Sequence, residues 1–128
     1  MFQVRSAAGA EEQIPHTDVT VGPHLVVTLI FQVVTDSESQ SVTTMFLPGS
    51  HMWRSSRKMN QKINHDNFSS FDGPAVCFDC SILHFGVSYS AKNRKPLHRF
   101  FFTFLKDGLT RRLVKQIESE LNCERRNK

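Results

Sequence analysis

The sequence has 128 residues, a formal net charge of +4 and a hydrophobic fraction of 39%. That length indicates one domain with a single core, and eleven phenylalanines against one tyrosine and one tryptophan predict a Phe-rich interior. No apolar run is long enough to span a bilayer, and the mixed charge of the C-terminal tail argues against a basic arm for nucleic acid.

The cysteines and the N-terminus bear on the compartment. Three cysteines are an odd number, which disfavours a disulfide framework, and "MFQVRSAAGA" has no apolar core of signal-peptide length. We therefore expect a soluble intracellular protein, cytoplasmic or organellar. Cys77 and Cys80 have the spacing of half a zinc site, but no second pair follows. We interpret both as buried small side chains.

Most of the chain is predicted to form β-strands separated by turns. The segment "LVVTLIFQVV" is rich in β-branched residues, and "VTTMFL" stops at Pro48-Gly49. Eight strands are expected in all: residues 2–6, 25–34, 42–47, 74–80, 82–89 and 99–105, with weaker ones leading into His16 and near residues 61–66.

Residues 50–70 are a polar stretch with few apolar positions, and they are predicted to be a loop with a short helix or an edge strand. Long loops of barrels often carry substrate contacts. Trp53 and this loop are therefore candidates for a lid over an active site.

The C-terminal segment has the periodicity of an amphipathic helix. Thr110 is the predicted N-cap, with Leu109 and Val114 as a hydrophobic staple. The apolar face is expected to pack on the strands through Leu109, Leu113, Val114, Ile117 and Leu121. Many strands followed by one helix predict a mainly β fold, a sandwich or jelly-roll barrel, with residues 1–107 as the core and residues 108–128 as helix and tail.

His16 and Asp18, in "IPHTDVT", are candidate metal ligands. Residues i and i+2 of an extended chain point to the same side, so this imidazole and this carboxylate can converge. A mononuclear Fe(II) site that activates oxygen uses two imidazoles and one carboxylate, which leaves positions for a chelating cosubstrate and O₂. The best candidate for the third ligand is His84, in the strand-like "SILHFG".

A dicarboxylate cosubstrate such as 2-oxoglutarate needs an arginine for its far carboxylate, because a guanidinium can donate two parallel hydrogen bonds to it. Arg99, which opens "RFFFTFL", is the first candidate, and Arg94 is the second. The histidine before Arg99 should point to the opposite side of that strand. The remaining histidines are not assigned as ligands: His24, His51, His65 and His98.

The order of these motifs resembles the Fe(II)/2-oxoglutarate-dependent dioxygenase superfamily, most closely its phytanoyl-CoA dioxygenase-like branch. The resemblance is carried by H-x-D, then "FLPGSHMW", "DGPAVCFDCSILHFG" and "NRKPLHRFFFTF", and covers roughly residues 13 to 105. It implies a double-stranded β-helix in which His16, Asp18 and His84 hold Fe(II) and Arg99 binds 2-oxoglutarate. The implied reaction hydroxylates a C–H bond while 2-oxoglutarate is converted to succinate and CO₂.

The sequence departs from this branch in three features. The usual Gly-Asp turn is reversed, as Asp72-Gly73, and the arginine that normally follows the proline closely stands after Leu97 and His98. The chain also begins almost at the first core strand, whereas the family usually has a longer N-terminal region that covers the barrel. A sheet without that cover exposes apolar surface, so we expect an interface to another copy or to another protein.

Two other interpretations stay open. One is a catalytically inactive oxygenase-like barrel that acts as a subunit or interaction module, which the short N-terminal region favours. The other is a nucleic-acid demethylase of the same superfamily, although no alternation of aromatic and basic residues supports base stacking. The expected substrate is a small molecule or a protein, and its identity depends on loops and pocket shape rather than on the fold.

Overall fold

The computed structural model describes residues 1–7, 9–33, 44–53, 63–70, 75–89 and 97–127. Within them lie seven strands, two short 3-10 helices and one α-helix. The strands are β1 (Phe2–Ser6), β2 (Val26–Val33), β3 (Thr44–Phe46), β4 (Ser69–Ser70), β5 (Ala75–Asp79), β6 (His84–Gly86) and β7 (Leu97–Leu105). The 3-10 helices are Ser50–Met52 and His65–Asn67, and the α-helix, α1, is Arg111–Asn127.

The strands form two antiparallel sheets. The major sheet has the order β1-β7-β2-β5, and the minor sheet has the order β4-β3-β6. The extended chain at His16 lies along the free edge of β6, where His16 and His84 exchange both backbone hydrogen bonds at 2.9 Å. The prediction of a mainly β, jelly-roll fold with a C-terminal helix is confirmed.

The space between the sheets is filled by aromatic and aliphatic side chains. A buried cluster there comprises Ile30, Phe46, Phe78 and Phe101. Because successive side chains of a strand alternate between its two faces, the phenylalanines of β7 divide: Phe101 is 4% exposed, whereas Phe104 is 57% exposed. The Phe-rich strand therefore fills the core from one face only.

The opposite face of the major sheet is apolar and partly open. Phe31 is 42% exposed there, and it pairs with Phe100 across β2 and β7. The same register places Leu29 beside Phe102. This surface is called the outer face below, and it comprises Val27, Leu29, Phe31, Phe100, Phe102 and Phe104.

Several predicted strands differ from those observed. Within the described residues, the segment near 61–66 contains no strand. Asn64 Oδ1 accepts a hydrogen bond from the Asp66 N–H at 3.0 Å, a local turn contact that starts a 3-10 helix. The weak strand predicted to lead into His16 is observed as one isolated β-bridge. Of the strand predicted over residues 82–89, the structure contains the short strand β6. The Asp72-Gly73 turn lies outside the described residues.

Helix α1 has the predicted N-cap. The Leu113 N–H donates to Thr110 Oγ1 at 3.3 Å, and the helix extends from Arg111 to Asn127. Ile117 is fully buried. Its cluster contains Val19, Val26, Cys80, Ile117 and Leu121, with Leu109 and Leu113 packed against it. Packing on the barrel is thus confirmed for four of the five predicted residues, whereas Val114 is partly buried outside this cluster.

The two cysteines of the C-x-x-C spacing have different environments. Cys80 is fully buried, and its Sγ lies 3.1 Å from Thr28 Oγ1. Cys77 is exposed, so the prediction that both are buried is wrong for Cys77. Cys77 pairs with Leu29 and so points to the outer face, whereas Cys80 follows the end of β5 and turns into the core. In the described part of the chain, no helix is both long and apolar enough to cross a membrane.

Candidate metal centre

The backbone brings the H-x-D segment against the start of β6. His16 bridges His84, and the carbonyl of Cys80 accepts hydrogen bonds from the N–H groups of Asp18 and Val19 at 2.9 and 3.3 Å. These contacts place Asp18 beside the chain that leads into His84. Because His16 and Asp18 are two residues apart in an extended segment, both side chains point toward His84.

His16, Asp18 and His84, called the metal group below, form a compact set of donor atoms. One donor atom from each residue lies within 4.8 Å of the other two. Asp18 Oδ1 is 3.8 Å from His16 Nε2 and 3.6 Å from His84 Nε2. The two imidazole rings are 4.7 Å apart between centroids. The group can therefore hold a metal ion.

Backbone contacts orient both imidazoles. His16 Nδ1 is 2.8 Å from the carbonyl oxygen of Ile14, and His84 Nδ1 is 3.0 Å from that of Ile82. Each carbonyl can only accept, so each Nδ1 carries the proton and donates it. In its neutral form each ring would present the lone pair of Nε2 toward Asp18, which is the usual arrangement of a metal-binding histidine.

The donor set can accommodate a cation. His16 Nε2 is buried and has no hydrogen-bond partner among the residues that the structure describes. Asp18 and His84 are buried, at 5% and 4% exposed. A buried polar atom without a partner destabilises a fold unless something satisfies it. A metal ion would satisfy His16 Nε2.

Arg99 lies in a pocket that also contains a member of the metal group. The pocket is lined by Val4, Gln13, Ile30, Thr44, His84, Arg99 and Phe101. Arg99 is buried, and its burial lowers the pKa of the guanidinium below its ordinary value. An arginine still remains protonated at neutral pH. Arg94, the second candidate, lies outside the described residues.

The structure does not add other histidines to the metal group. His98, next to Arg99, points to the opposite side of β7, where its Nδ1 accepts a hydrogen bond from Gln3 Nε2 at 2.7 Å. The rings of His24 and His51 are 5.6 Å apart, and His65 packs on Phe85. Among the described residues, only the metal group meets the geometry of a metal site with three ligands.

Trp53 does not cover the metal group. It packs against a cluster of Leu47, Phe68, Leu83 and Phe85, with Ile63 also in contact. Phe85 follows His84 in β6, so its side chain points to the opposite face of the minor sheet. The lid hypothesis is therefore wrong for Trp53, and residues 54–62 lie outside the described residues.

Sequence reasoning missed two residues near the site. Glu124, on α1, has its Oε2 3.8 Å from His16 Nε2. Gln13 lines the pocket of Arg99, and its Oε1 accepts a hydrogen bond from the Gly86 N–H at 2.8 Å. Glu124 lies beyond Leu121, the last residue assigned to the apolar face of the helix, so continuing the helical period would have been the only signal for it.

Asp79 braces the turn that supports the metal group. Its carboxylate accepts hydrogen bonds from the Ser81 N–H at 2.9 Å, the Ser81 hydroxyl at 2.6 Å and the His24 N–H at 2.5 Å. Burial alone would raise the pKa of Asp79. The hydrogen bonds from Ser81 and His24, with the charge of His24, outweigh it and lower the pKa below its ordinary value. Cys80, in the middle of this turn, carries the carbonyl that binds the Asp18 N–H.

Comparison with known proteins shows that the fold of this chain is similar to that of solved structures. No protein-family profile matches the sequence, and no curated protein matches it. The chain is similar to the crystal structure of AviO1 from Streptomyces viridochromogenes Tue57, with a TM-score of 0.61 and 18% identity over 84% of this chain and 50% of AviO1. It is also similar to EvdMO1, with a TM-score of 0.59 and 17% identity over 83% of this chain and 26% of EvdMO1. The chain thus spans half the length of AviO1 and about a quarter of EvdMO1, and it shares their mainly β fold.

Proposed function

We propose that the protein is a non-haem Fe(II), 2-oxoglutarate-dependent oxygenase that hydroxylates a C–H bond of a small-molecule or protein substrate. The observation that carries this proposal is the convergence of two imidazoles and one carboxylate within 4.8 Å. This ligand set is typical of non-haem Fe(II) oxygenases, since it leaves positions open for a cosubstrate and for O₂. The motif order that resembles the phytanoyl-CoA dioxygenase-like branch supports the same assignment.

His16, Asp18 and His84 would hold the iron, and iron supplies oxygen activation when it is bound. The hydrogen bonds from Nδ1 to Ile14 and Ile82 fix the direction of each Nε2 before the metal arrives. Such outer hydrogen bonds strengthen metal binding, because the rings lose little freedom when they coordinate. Phe46 and Phe78 pack on the ring of His84, at centroid distances of 5.9 and 4.9 Å, and keep water from that side.

Arg99 would bind the far carboxylate of 2-oxoglutarate. It shares a pocket with His84, so a molecule in that pocket can reach toward the metal group with one end and toward Arg99 with the other. Val4, Ile30 and Phe101 also line this pocket. Their apolar surfaces lower the local dielectric constant and strengthen an ion pair between the guanidinium and a carboxylate.

The proposal is tested on purified protein supplied anaerobically with Fe(II) and 2-oxoglutarate and then exposed to O₂. Succinate release above that of iron without protein is expected. His84→Ala should abolish it, because one ligand of three is lost. His98→Ala is the matched control and should retain it, because that ring lies on the opposite side of β7 from Arg99. Equal succinate release from wild type and His84→Ala would rule the proposal out.

A second candidate function is an inactive oxygenase-like barrel that acts as an interaction module. The apolar outer face favours it, since Phe31 and Phe104 are 42% and 57% exposed. Exposed apolar patches of this kind often mark interfaces. This candidate replaces the first if wild-type protein binds no Fe(II) and releases no succinate but forms a stable assembly.

A further inference from the structure

The pocket that contains Arg99 and His84 has a further polar group, the side-chain amide of Gln13. Gln13 lies beside the end of β6, because its backbone N–H donates to the Gly86 carbonyl at 2.9 Å. Its side chain turns back to the same residue, where Gln13 Oε1 accepts a hydrogen bond from the Gly86 N–H at 2.8 Å. Two hydrogen bonds therefore join Gln13 to Gly86 at the wall of the pocket.

The hydrogen bond to Gly86 decides which end of the Gln13 amide is left for a ligand. A backbone N–H can only donate, so the amide atom that meets it is the oxygen and not the nitrogen. The amide nitrogen, Nε2, carries two protons and acts only as a donor. Gln13 can therefore offer a molecule in the pocket a hydrogen-bond donor that carries no charge.

The absence of a side chain at Gly86 makes room for the amide. Gly86 is buried, and a Cβ at its position would lie 2.7 Å from Gln13 Oε1 and 3.2 Å from Gln13 Cδ. Non-bonded atoms do not approach so closely without strong repulsion. The amide is thus seated on bare backbone and held by a hydrogen bond before any ligand arrives, so little freedom is lost when Nε2 binds one.

We propose that Gln13 is a specificity-determining residue of the cosubstrate pocket, where its Nε2 donates a hydrogen bond to the carboxylate that Arg99 binds. This role rests on the proposed function, because it concerns the same pocket. An ionised carboxylate has about four lone-pair sites, and a guanidinium fork occupies two of them. The neutral amide satisfies a third without weakening the charge of Arg99. The pocket then prefers 2-oxo acids that end in a second carboxylate over those that end in an alkyl group.

The test measures the dissociation constant of 2-oxoglutarate for Co(II)-loaded protein by isothermal titration calorimetry. Gln13→Met removes the donor at similar length, so binding should weaken about tenfold or more, the effect of losing a hydrogen bond to a charged group. Gln13→Glu keeps an oxygen for the Gly86 N–H but adds a negative charge, so a loss at least as large is expected. Gln3→Met is the matched control and should bind as wild type does, because Gln3 bonds to His98 on the other side of β7 from Arg99.

Two further measurements separate contact with the far carboxylate from support of the fold. 2-Oxobutyrate has the same keto acid end as 2-oxoglutarate but no far carboxylate. Gln13→Met should therefore bind 2-oxobutyrate as wild type does, which the visible absorption of Co(II) reports. Its affinity for Co(II) alone should also match that of wild type, since the metal group is unchanged.

The results distinguish a role in binding from a structural one. If Gln13→Met binds 2-oxoglutarate as wild type does, the donor is not used and the inference is wrong, even where Gln13→Glu binds more weakly. If Gln13→Met loses affinity for Co(II) or 2-oxobutyrate in the same proportion, Gln13 supports the fold and the inference is also wrong. In both cases the proposed function stands as long as wild type binds 2-oxoglutarate. Co(II)-loaded wild type that binds no 2-oxoglutarate would overturn the proposed function and this role together.

Discussion

At the scale of single residues, hydrogen bonds to the backbone decide the chemistry of the metal group. The carbonyls of Ile14 and Ile82 each lie two residues before a histidine and hold its Nδ1 proton. That geometry directs both Nε2 atoms toward Asp18. The same hydrogen bond, from Nδ1 to the carbonyl two residues earlier, orients both imidazoles, although they are distant in sequence. Two histidines on the protein surface would not share such a fixed orientation.

Arg99→Lys is expected to weaken 2-oxoglutarate binding at least about tenfold, although the charge is kept. A lysine presents one ammonium in place of the planar fork that matches a carboxylate with two hydrogen bonds. Calorimetry with 2-oxoglutarate and Co(II)-loaded protein measures the effect. Arg94→Ala is the comparison variant. Wild-type affinity in Arg99→Lys together with loss in Arg94→Ala would assign the cosubstrate to Arg94 instead.

Asp79→Asn is expected to lower the free energy of unfolding at pH 7 by about 1–3 kcal/mol, because the partly buried donors of Ser81 and His24 lose an ionised acceptor. The pKa of Asp79 is lower in the folded protein than its ordinary value of about 3.9. The stabilisation from this carboxylate is therefore complete above about pH 4 and is lost as the pH falls through the lower, folded-state value.

Urea unfolding at a series of pH values from neutral to acidic checks this expectation. The difference between wild type and Asp79→Asn should be constant near neutral pH and should shrink in acid. Ser70→Ala is a suitable control, because Ser70 is exposed on β4 and should leave stability unchanged at every pH. A difference between wild type and Asp79→Asn that does not change with pH would contradict the role of the ionised carboxylate.

At the scale of elements, helix α1 connects core packing with the metal group. Ile117→Ala removes a side chain that is fully buried beside Val19 and Cys80. Large-to-small substitutions of this kind cost about 2–5 kcal/mol, and urea unfolding measures the loss. Lys115→Ala, on the exposed side of the same helix, should change stability by less than about 0.5 kcal/mol. Equal stability of the two variants would mean that α1 contributes little to the core.

Elements also show where local pattern is sufficient for prediction. The N-cap at Thr110 and the apolar face of α1 follow from residues that are close in the chain, so they could be read directly. The structure of residues 63–66 could not be read in this way. The side chain of Asn64 accepts a hydrogen bond from the Asp66 backbone N–H, and this contact favours a local turn over the expected strand. The bounds of the short strand β6 depend on its partner β3, which is distant in sequence.

At the scale of the whole molecule, the outer face of the major sheet predicts association. Its phenylalanines are partly exposed, so burial against a second copy or another protein would remove apolar surface from water. The mass of the wild-type protein, measured by size-exclusion chromatography with light scattering, is expected to exceed that of a monomer. Substitution of both Phe31 and Phe104 by Thr should shift the measured mass toward that of the monomer. Met52→Thr is the control, since Met52 is 53% exposed outside this face. A wild-type monomer at every concentration would contradict self-association.

The sequence by itself determined the features that depend on neighbours in the chain. Alternation in extended segments put His16 and Asp18 on one side and separated Arg99 from His98. The helical period assigned the buried residues of α1. The candidate ligands could be named for a different reason: the chemistry of a metal site restricts which residue types can bind the ion.

Only the tertiary structure decided which distant residues meet. The bridge between His16 and His84 depends on how two segments pair across the barrel, and no short pattern encodes that pairing. The position of Glu124 depends on the anchoring of Glu120 to Thr20. The placement of Trp53 on the far side of the minor sheet depends on the cluster around Phe85. The physical reason is common to all three: local sequence sets the direction of a side chain, whereas contact with a distant residue requires the register and packing of the whole fold.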